Sequence, residues 1–154
     1  MLATASAVSS APRLPVVLDT NIVLDVFVFD DAAAKPLRAA LEAGALDWQA
    51  TLPMRVELVR VLDYPQIAPR LVFYQLLPAD VLAAFDRHAR IRPAAGKAPV
   101  TCRDPDDQMF IDLAVSVRGM LFSKDRAVTS MSKRLRALGV QTLKALPDPL
   151  LQAA

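Results

Sequence analysis

The sequence predicts an α/β domain with a mostly parallel central sheet covered on both faces. Two observations carry that expectation: the runs PVVLD and MLFS are short and continuously apolar, as in strands buried on both sides, and segments of helical periodicity lie between such runs. A third is size, since 154 residues suit a single domain with a sizeable core.

Residues 1–14 hold Ala and Ser with no basic side chain before Arg13. That is a poor secretory signal and reads as a flexible extension, followed by a domain over 15–147 and a short tail over 148–154. PVVLD is a buried strand stopped by Asp19. From Thr20, NIVLDVFVF has the β-branched and aromatic residues of a strand, but its place after a buried strand favours a helix. AAAKPLRAALEAG is a helix closed by Gly44. ALDWQAT alternates as a short strand does. Pro53 opens the helix PMRVELVRVLDYP, in which Val56, Val59 and Leu62 recur at helical spacing.

PRLVFYQLLPADVLAAFDRHARI is a helical pair broken near Pro78, and RPAAGKAPVTCRDP has the Pro, Gly and polar content of a loop. The helix DDQMFIDLAVSVRG, the strand MLFS, the helix AVTSMSKRLRALG and a last strand, VQTLKA, complete the alternation.

Composition removes several classes of function. The chain is 54% hydrophobic and 22% charged, which is globular rather than disordered. No charge-free apolar run approaches the roughly 20 residues of a membrane span. Cys102 is the single cysteine, so no internal disulfide forms and a reducing cytoplasm is expected. A net charge of +2 is compatible with nucleic acid without singling it out. His88 is the only histidine, which argues against a His-based metal site or a Ser–His–Asp triad. Chemistry here has to use carboxylates, hydroxyls, Lys or Arg.

In an open parallel sheet, function gathers beyond the carboxyl ends of the strands. Two expected strands end near an acid, PVVLD at Asp19 and MLFSKD at Asp125, and a parallel sheet brings both to one edge. In CRDPDDQMFIDLA, Asp104 precedes Pro105 and Asp107 follows one turn later. Asp104 reads as an N-cap with further acids complementing the helix dipole, or the two carboxylates face a cation together. Asp112, about 140° around the helix from Asp107, points elsewhere. Glu57 borders the apolar stripe of its helix and reads either as a half-exposed partner of Arg60 or as a site acid. Lys133, Arg134 and Arg136 read as a solvated helical face or as a rim for phosphates. Cys102, His88 and Trp48 read as a small packing residue, a surface side chain and an aromatic at the edge of the core.

The order LDTN, VELVRVL, RDPDDQMFIDLA, FSKD resembles the PIN-domain family, and most of all its branch of toxin components from bacterial toxin–antitoxin pairs. The likeness runs from about Pro15 to Leu146. It implies a PIN-like three-layer α/β/α sandwich and an Mg²⁺- or Mn²⁺-dependent ribonuclease. Asp19, Glu57, Asp107 and Asp125 match the family's catalytic and metal-binding acids, with Asp104 a neighbouring metal ligand and Asn21 and Ser123 supporting polar residues. Lys124 stands where such members often carry a small residue, and Ala127 where a second Asp often stands. The resemblance further implies RNA as substrate, a cognate antitoxin as partner and a homodimer, with Phe73 and Tyr74 as contact residues.

Converging carboxylates repel one another unless a cation compensates them, and oxygen-only ligation suits Mg²⁺ or Mn²⁺ rather than Zn²⁺. With one histidine, water activated by that cation is the expected nucleophile. Arg103, Lys124 and Arg126, close to the acids in sequence, are candidate RNA contacts. Two other readings stay open: a non-catalytic PIN-fold module that binds RNA or protein, and a phosphotransfer enzyme of the haloacid dehalogenase type. The latter wants an acid two residues after Asp19, where this chain has Asn21. A receiver domain fits less well, because it expects an acidic pair after the first strand.

Overall fold

A computed structural model describes residues 13–147. The expected tail lies outside the described residues, as does the expected extension apart from Arg13 and Leu14. The first strand, β1 (Leu14–Leu18), runs through the middle of the molecule, with Val16, Val17 and Leu18 at most 2% exposed. It pairs in parallel with β2 (Leu46–Ala50) on one side and β4 (Met120–Phe122) on the other. The short β3 (Arg90–Ile91) extends the sheet beyond β2, and β5 (Gln141–Leu143) beyond β4. All four pairings are parallel and the order is β3-β2-β1-β4-β5. The fold is thus the expected α/β/α arrangement, and its connections reverse direction between β1 and β4.

The helix after β1, α1 (Thr20–Phe27), takes the ambiguous NIVLDVFVF segment, and all of its residues but Asn21 are buried. Next, α2 (Lys35–Glu42) ends before Gly44, whose φ of +71° suits the left-handed position that closes a helix. The next two crossovers, β2 to β3 and β3 to β4, use α3 (Leu52–Leu62), α4 (Ala68–Phe73), α5 (Pro78–His88) and α6 (Gln108–Val117). A 3₁₀ turn at Pro105–Asp107 leads into α6. The helical pair does break at Pro78, which opens α5 while the Leu77 N–H donates to Asp80 at 2.8 Å.

The structure corrects several sequence expectations. The buried face of α3 is Met54, Leu58 and Leu62, whereas Val56 and Val59 are exposed. Leu62 belongs to both apolar sets, while Val56 and Val59 lie well round the helix from Met54 and Leu58, so periodicity alone does not rank them. HARI is not helical to its end, because Arg90 and Ile91 form β3, an exposed edge strand too short to show a period. AVTSMSKRLRALG divides at Ser130–Met131 into α7 (Arg126–Thr129) and α8 (Ser132–Ala137). Trp48 is central rather than peripheral. It is 1% exposed, stacked on Phe27 with centroids 6.1 Å apart and edge-on to Phe85 at 5.1 Å. The His88 ring is half-buried and lies parallel to Phe27, also at 6.1 Å.

Gly119 brings β4 against β1. A Cβ there would lie 2.5 Å from the Pro15 carbonyl oxygen, so only glycine lets the two strands approach this closely. That contact matters for function because β1 and β4 deliver the two strand-end acids. Among the described residues, no helix is long and apolar enough to cross a membrane.

Candidate metal centre at the sheet's switch point

Asp19 caps α1 straight after β1. Its N–H donates to the Phe122 carbonyl at 2.9 Å, carrying the β1–β4 pairing one step past the strand, and its carbonyl accepts from Ile22 and Val23. The carboxylate is buried, and Oδ2 accepts from the Ser123 hydroxyl at 2.7 Å. Ser123 Oγ in turn accepts from the Asp125 N–H at 3.1 Å. One buried hydroxyl therefore fixes the relative position of the β1 acid and the β4 acid. Asp125 caps α7, its Oδ1 accepting from the Ala127 N–H at 2.9 Å.

Asp107 comes from a third element. It ends the 3₁₀ turn before α6 and is 6% exposed. One carboxylate oxygen each from Asp19, Asp107 and Asp125 lie within 4.8 Å of one another. The other two acids are partly satisfied by hydrogen-bond donors, but Asp107 Oδ2 is buried without a hydrogen-bond partner. This arrangement stands in the crevice where the sheet's connections reverse, the usual ligand position in doubly wound folds.

Electrostatics follow from the geometry. Burial raises the pKa of Asp19, and the nearby Asp125 raises it further, against the Ser123 hydroxyl and the Thr20 and Asn21 N–H groups that favour the charged form. Asp107 is pushed up to about 8, first by burial, then by its hydrogen-bonding contact with Asp125 and by the charges of Asp19, Asp125 and Asp104. Three carboxylates this close with one orphaned buried oxygen fit a hard divalent cation, which takes oxygen ligands and offsets the mutual repulsion. Asp19, Asp107 and Asp125 are the residues that could hold it.

The remaining candidates stand around this trio. Glu57, half-buried on α3, lies outside the 4.8 Å set. The buried Thr20 hydroxyl donates a short hydrogen bond to its Oε2, and burial together with Asp19 and Asp106 raises its pKa. The expected pairing of Glu57 with Arg60 is not formed; Thr20 takes that place. Asp104 also lies outside the trio and caps the 3₁₀ turn, Oδ1 accepting from the Asp106 N–H at 3.0 Å. Asn21 is exposed at the start of α1. Asp112 accepts from the Ala98 N–H and the Gln108 amide, away from the trio.

Of the expected RNA contacts, Arg103 and Arg126 are exposed, whereas Lys124 is in an ion pair with Asp25 on α1. Sequence reasoning passed over Asp25, which is buried, and Thr20, which orients Glu57. The signal for Asp25 was present: an acid within VLDVFVF poses the same burial problem as Asp19. Thr20 gave no comparable signal, because its partner lies 37 residues away.

Among curated proteins, none matches this chain. The description of the PIN domain matches residues 15–127, a stretch that includes all three converging acids and both strands that deliver them. On that match, which covers well over half of its length, the chain belongs to the PIN-domain family.

Proposed function

We propose that this protein is a divalent-metal-dependent endoribonuclease. PIN domains are generally nucleases, so hydrolysis of nucleic acid is the family-level expectation. The observation that carries the finer reading is the meeting of Asp19, Asp107 and Asp125 within 4.8 Å, with Asp107 Oδ2 buried and unpartnered.

When bound, an Mg²⁺ or Mn²⁺ ion would offset phosphate charge and lower the pKa of nearby water. The protein's own part is to hold three ligating oxygens in place. Ser123 orients Asp19 and the Asp125 backbone together, and the Ala127 N–H holds the Asp125 carboxylate. Glu57, positioned by Thr20, is the outer carboxylate available to accept a proton or to support a second ion at the rim. Asp104 adds negative charge that Asp107 feels. Asn21, exposed at the start of α1, is the supporting polar residue of this reading, and the exposed Arg103 and Arg126 are its candidate phosphate contacts.

The experiment is cleavage of a labelled single-stranded RNA by purified protein with Mn²⁺, with EDTA, and with the Asp107→Asn variant. Activity with Mn²⁺ that falls at least ~100-fold in the other two supports the reading, a loss on the scale of removing a principal electrostatic group. Equal cleavage in all three would point to a contaminant and overturn it.

The toxin role, with a cognate antitoxin covering the acidic crevice, rests on the sequence resemblance alone. Its test is growth arrest on expression, relieved by the product of an adjacent reading frame. A homodimer in the cytoplasm belongs to the same reading. Phe73, 78% exposed and edge-on to the half-buried Tyr74, is the contact it proposes, to be checked by sedimentation of a Phe73→Glu variant.

A further inference from the structure

Arg136 had two readings in the sequence, a solvated face or a phosphate rim, and its surroundings separate them. Two adjoining cavities, about 440 and 250 Å³, share Ser132, Arg136 and Thr142 as lining. Thr129, Leu143 and Lys144 complete the smaller one, and no acidic residue lines either. Some surface cations have carboxylate partners, Arg38 with Glu42, Arg55 with Asp86, Arg90 with Asp47 and Lys124 with Asp25, and others have none. What distinguishes Arg136 and Lys144 is that they line a cavity together with hydroxyl side chains and no acid. Arg136 and Lys144 are exposed and, among the described residues, form no ion pair. Two uncompensated cations beside three hydroxyl side chains form a surface suited to phosphodiester oxygens, which take charge-assisted and neutral donors together.

The groove is also on the correct edge. The Leu143 carbonyl, in its lining, accepts from the Ser123 N–H at 3.0 Å, so the end of β5 abuts the residue that orients Asp19. Thr129 ends α7, the helix that Asp125 caps, and the four residues of that helix span only about 6 Å. The near wall of the groove is therefore one short helix away from the acid that caps α7.

We infer that the groove between α8 and β5, with Arg136 and Lys144 as its charged contacts, binds the backbone of the RNA strand flanking the scissile phosphate. This rests on the ribonuclease reading and adds to it a second binding place, which predicts that longer substrates bind better. Nothing in it involves reading of bases.

The test is fluorescence anisotropy of a labelled single-stranded RNA 12-mer, in EDTA so that no cleavage occurs, over a range of KCl concentrations. An Arg136→Ala/Lys144→Ala variant is compared with wild type and with Arg13→Ala/Arg87→Ala, which removes one charge from the start of β1, at the other end of the strands, and one from the end of α5. The groove variant is expected to bind roughly tenfold more weakly at about 0.1 M salt, with the log–log salt slope reduced by about 1.4, two phosphates at ~0.7 each. The control pair is expected to stay within about twofold of wild type, and the difference narrows for a trinucleotide too short to reach the groove. Unchanged affinity and slope in the groove variant, or an equal loss in both double variants, overturns the groove, while metal-dependent cleavage in the same preparation keeps the nuclease reading standing. Failure of wild type both to bind and to cleave RNA overturns both. Melting curves establish that each variant is folded, which the exposure of all four side chains favours.

Discussion

Asp107 occupies a position unfavourable to its own charge: buried, beside two other carboxylates, with one oxygen unpartnered. Removing that charge should therefore help the fold and harm the function. Asp107→Asn is expected to raise metal-free stability by about 0.5–2 kcal/mol, in line with the trade-off common at active sites, while abolishing Mn²⁺-dependent cleavage. Denaturant melts in EDTA check the first part. The pH dependence has the same origin. Asp19, Glu57 and Asp107 all have folded pKa values above their ordinary ones of 3.8 to 4.5. Each holds its proton more tightly folded than unfolded, so the stability they contribute is complete below about pH 4 and is lost as pH rises toward about 8, the Asp107 value. In EDTA the melting temperature is expected to decline through that window, more steeply in wild type than in Asp107→Asn. Mn²⁺ should restore most at its upper end. A wild-type decline no steeper than the variant's would contradict this. Ser123→Ala removes the hydroxyl shared by Asp19 Oδ2 and the Asp125 N–H and should cost about 1–3 kcal/mol, with weaker Mn²⁺ binding by calorimetry. Asp19 and Asp125 stand out in the sequence because acids at strand ends are conspicuous against apolar runs, whereas an acid at a helix start such as Asp107 looks locally like a cap, and the resemblance to PIN domains is what assigned it. The partner of Glu57 could not be picked out, since a hydrogen bond between distant residues leaves no local pattern.

Among elements, α3 shows where periodicity stops being informative. Two apolar sets alternate along it, and the choice between them depends on what the helix packs against. Glu57 lies about 60° from Met54, at the border of the buried face, which leaves it half-buried. Had the Val56 and Val59 face been buried, Glu57 would have been carried away from Thr20. The β1–β4 contact is a second case. Gly119→Ala places a methyl group against the Pro15 carbonyl and is expected to destabilise the fold by about 2–4 kcal/mol, measurable by urea unfolding. Because β1 and β4 carry Asp19 and Ser123, Mn²⁺ affinity should fall as well. An unchanged midpoint would mean that the strands part at no cost. The short β3 and the division of α7 from α8 escaped the sequence reading, since both are settled by neighbours rather than by local propensity.

Over the whole molecule, the alternation of strands and helices was enough to predict a parallel sheet with both faces covered, but strand order is a property of assembly. The order β3-β2-β1-β4-β5 places the ends of β1 and β4 side by side at the reversal point. Residues 19, 107 and 125 become neighbours through that order, with α6 bringing in the third acid. The groove beside β5 depends on it in the same way, because it exists only once β5 lies next to β4.

The most direct test is a crystal grown with Mn²⁺ and measured near the manganese absorption edge. One strong anomalous peak is expected within roughly 2.0–2.6 Å of carboxylate oxygens of Asp19, Asp107 and Asp125, the range for hard divalent ions, together with its disappearance in Asp107→Asn. No peak between these three side chains at saturating Mn²⁺ would contradict their assignment as the metal site.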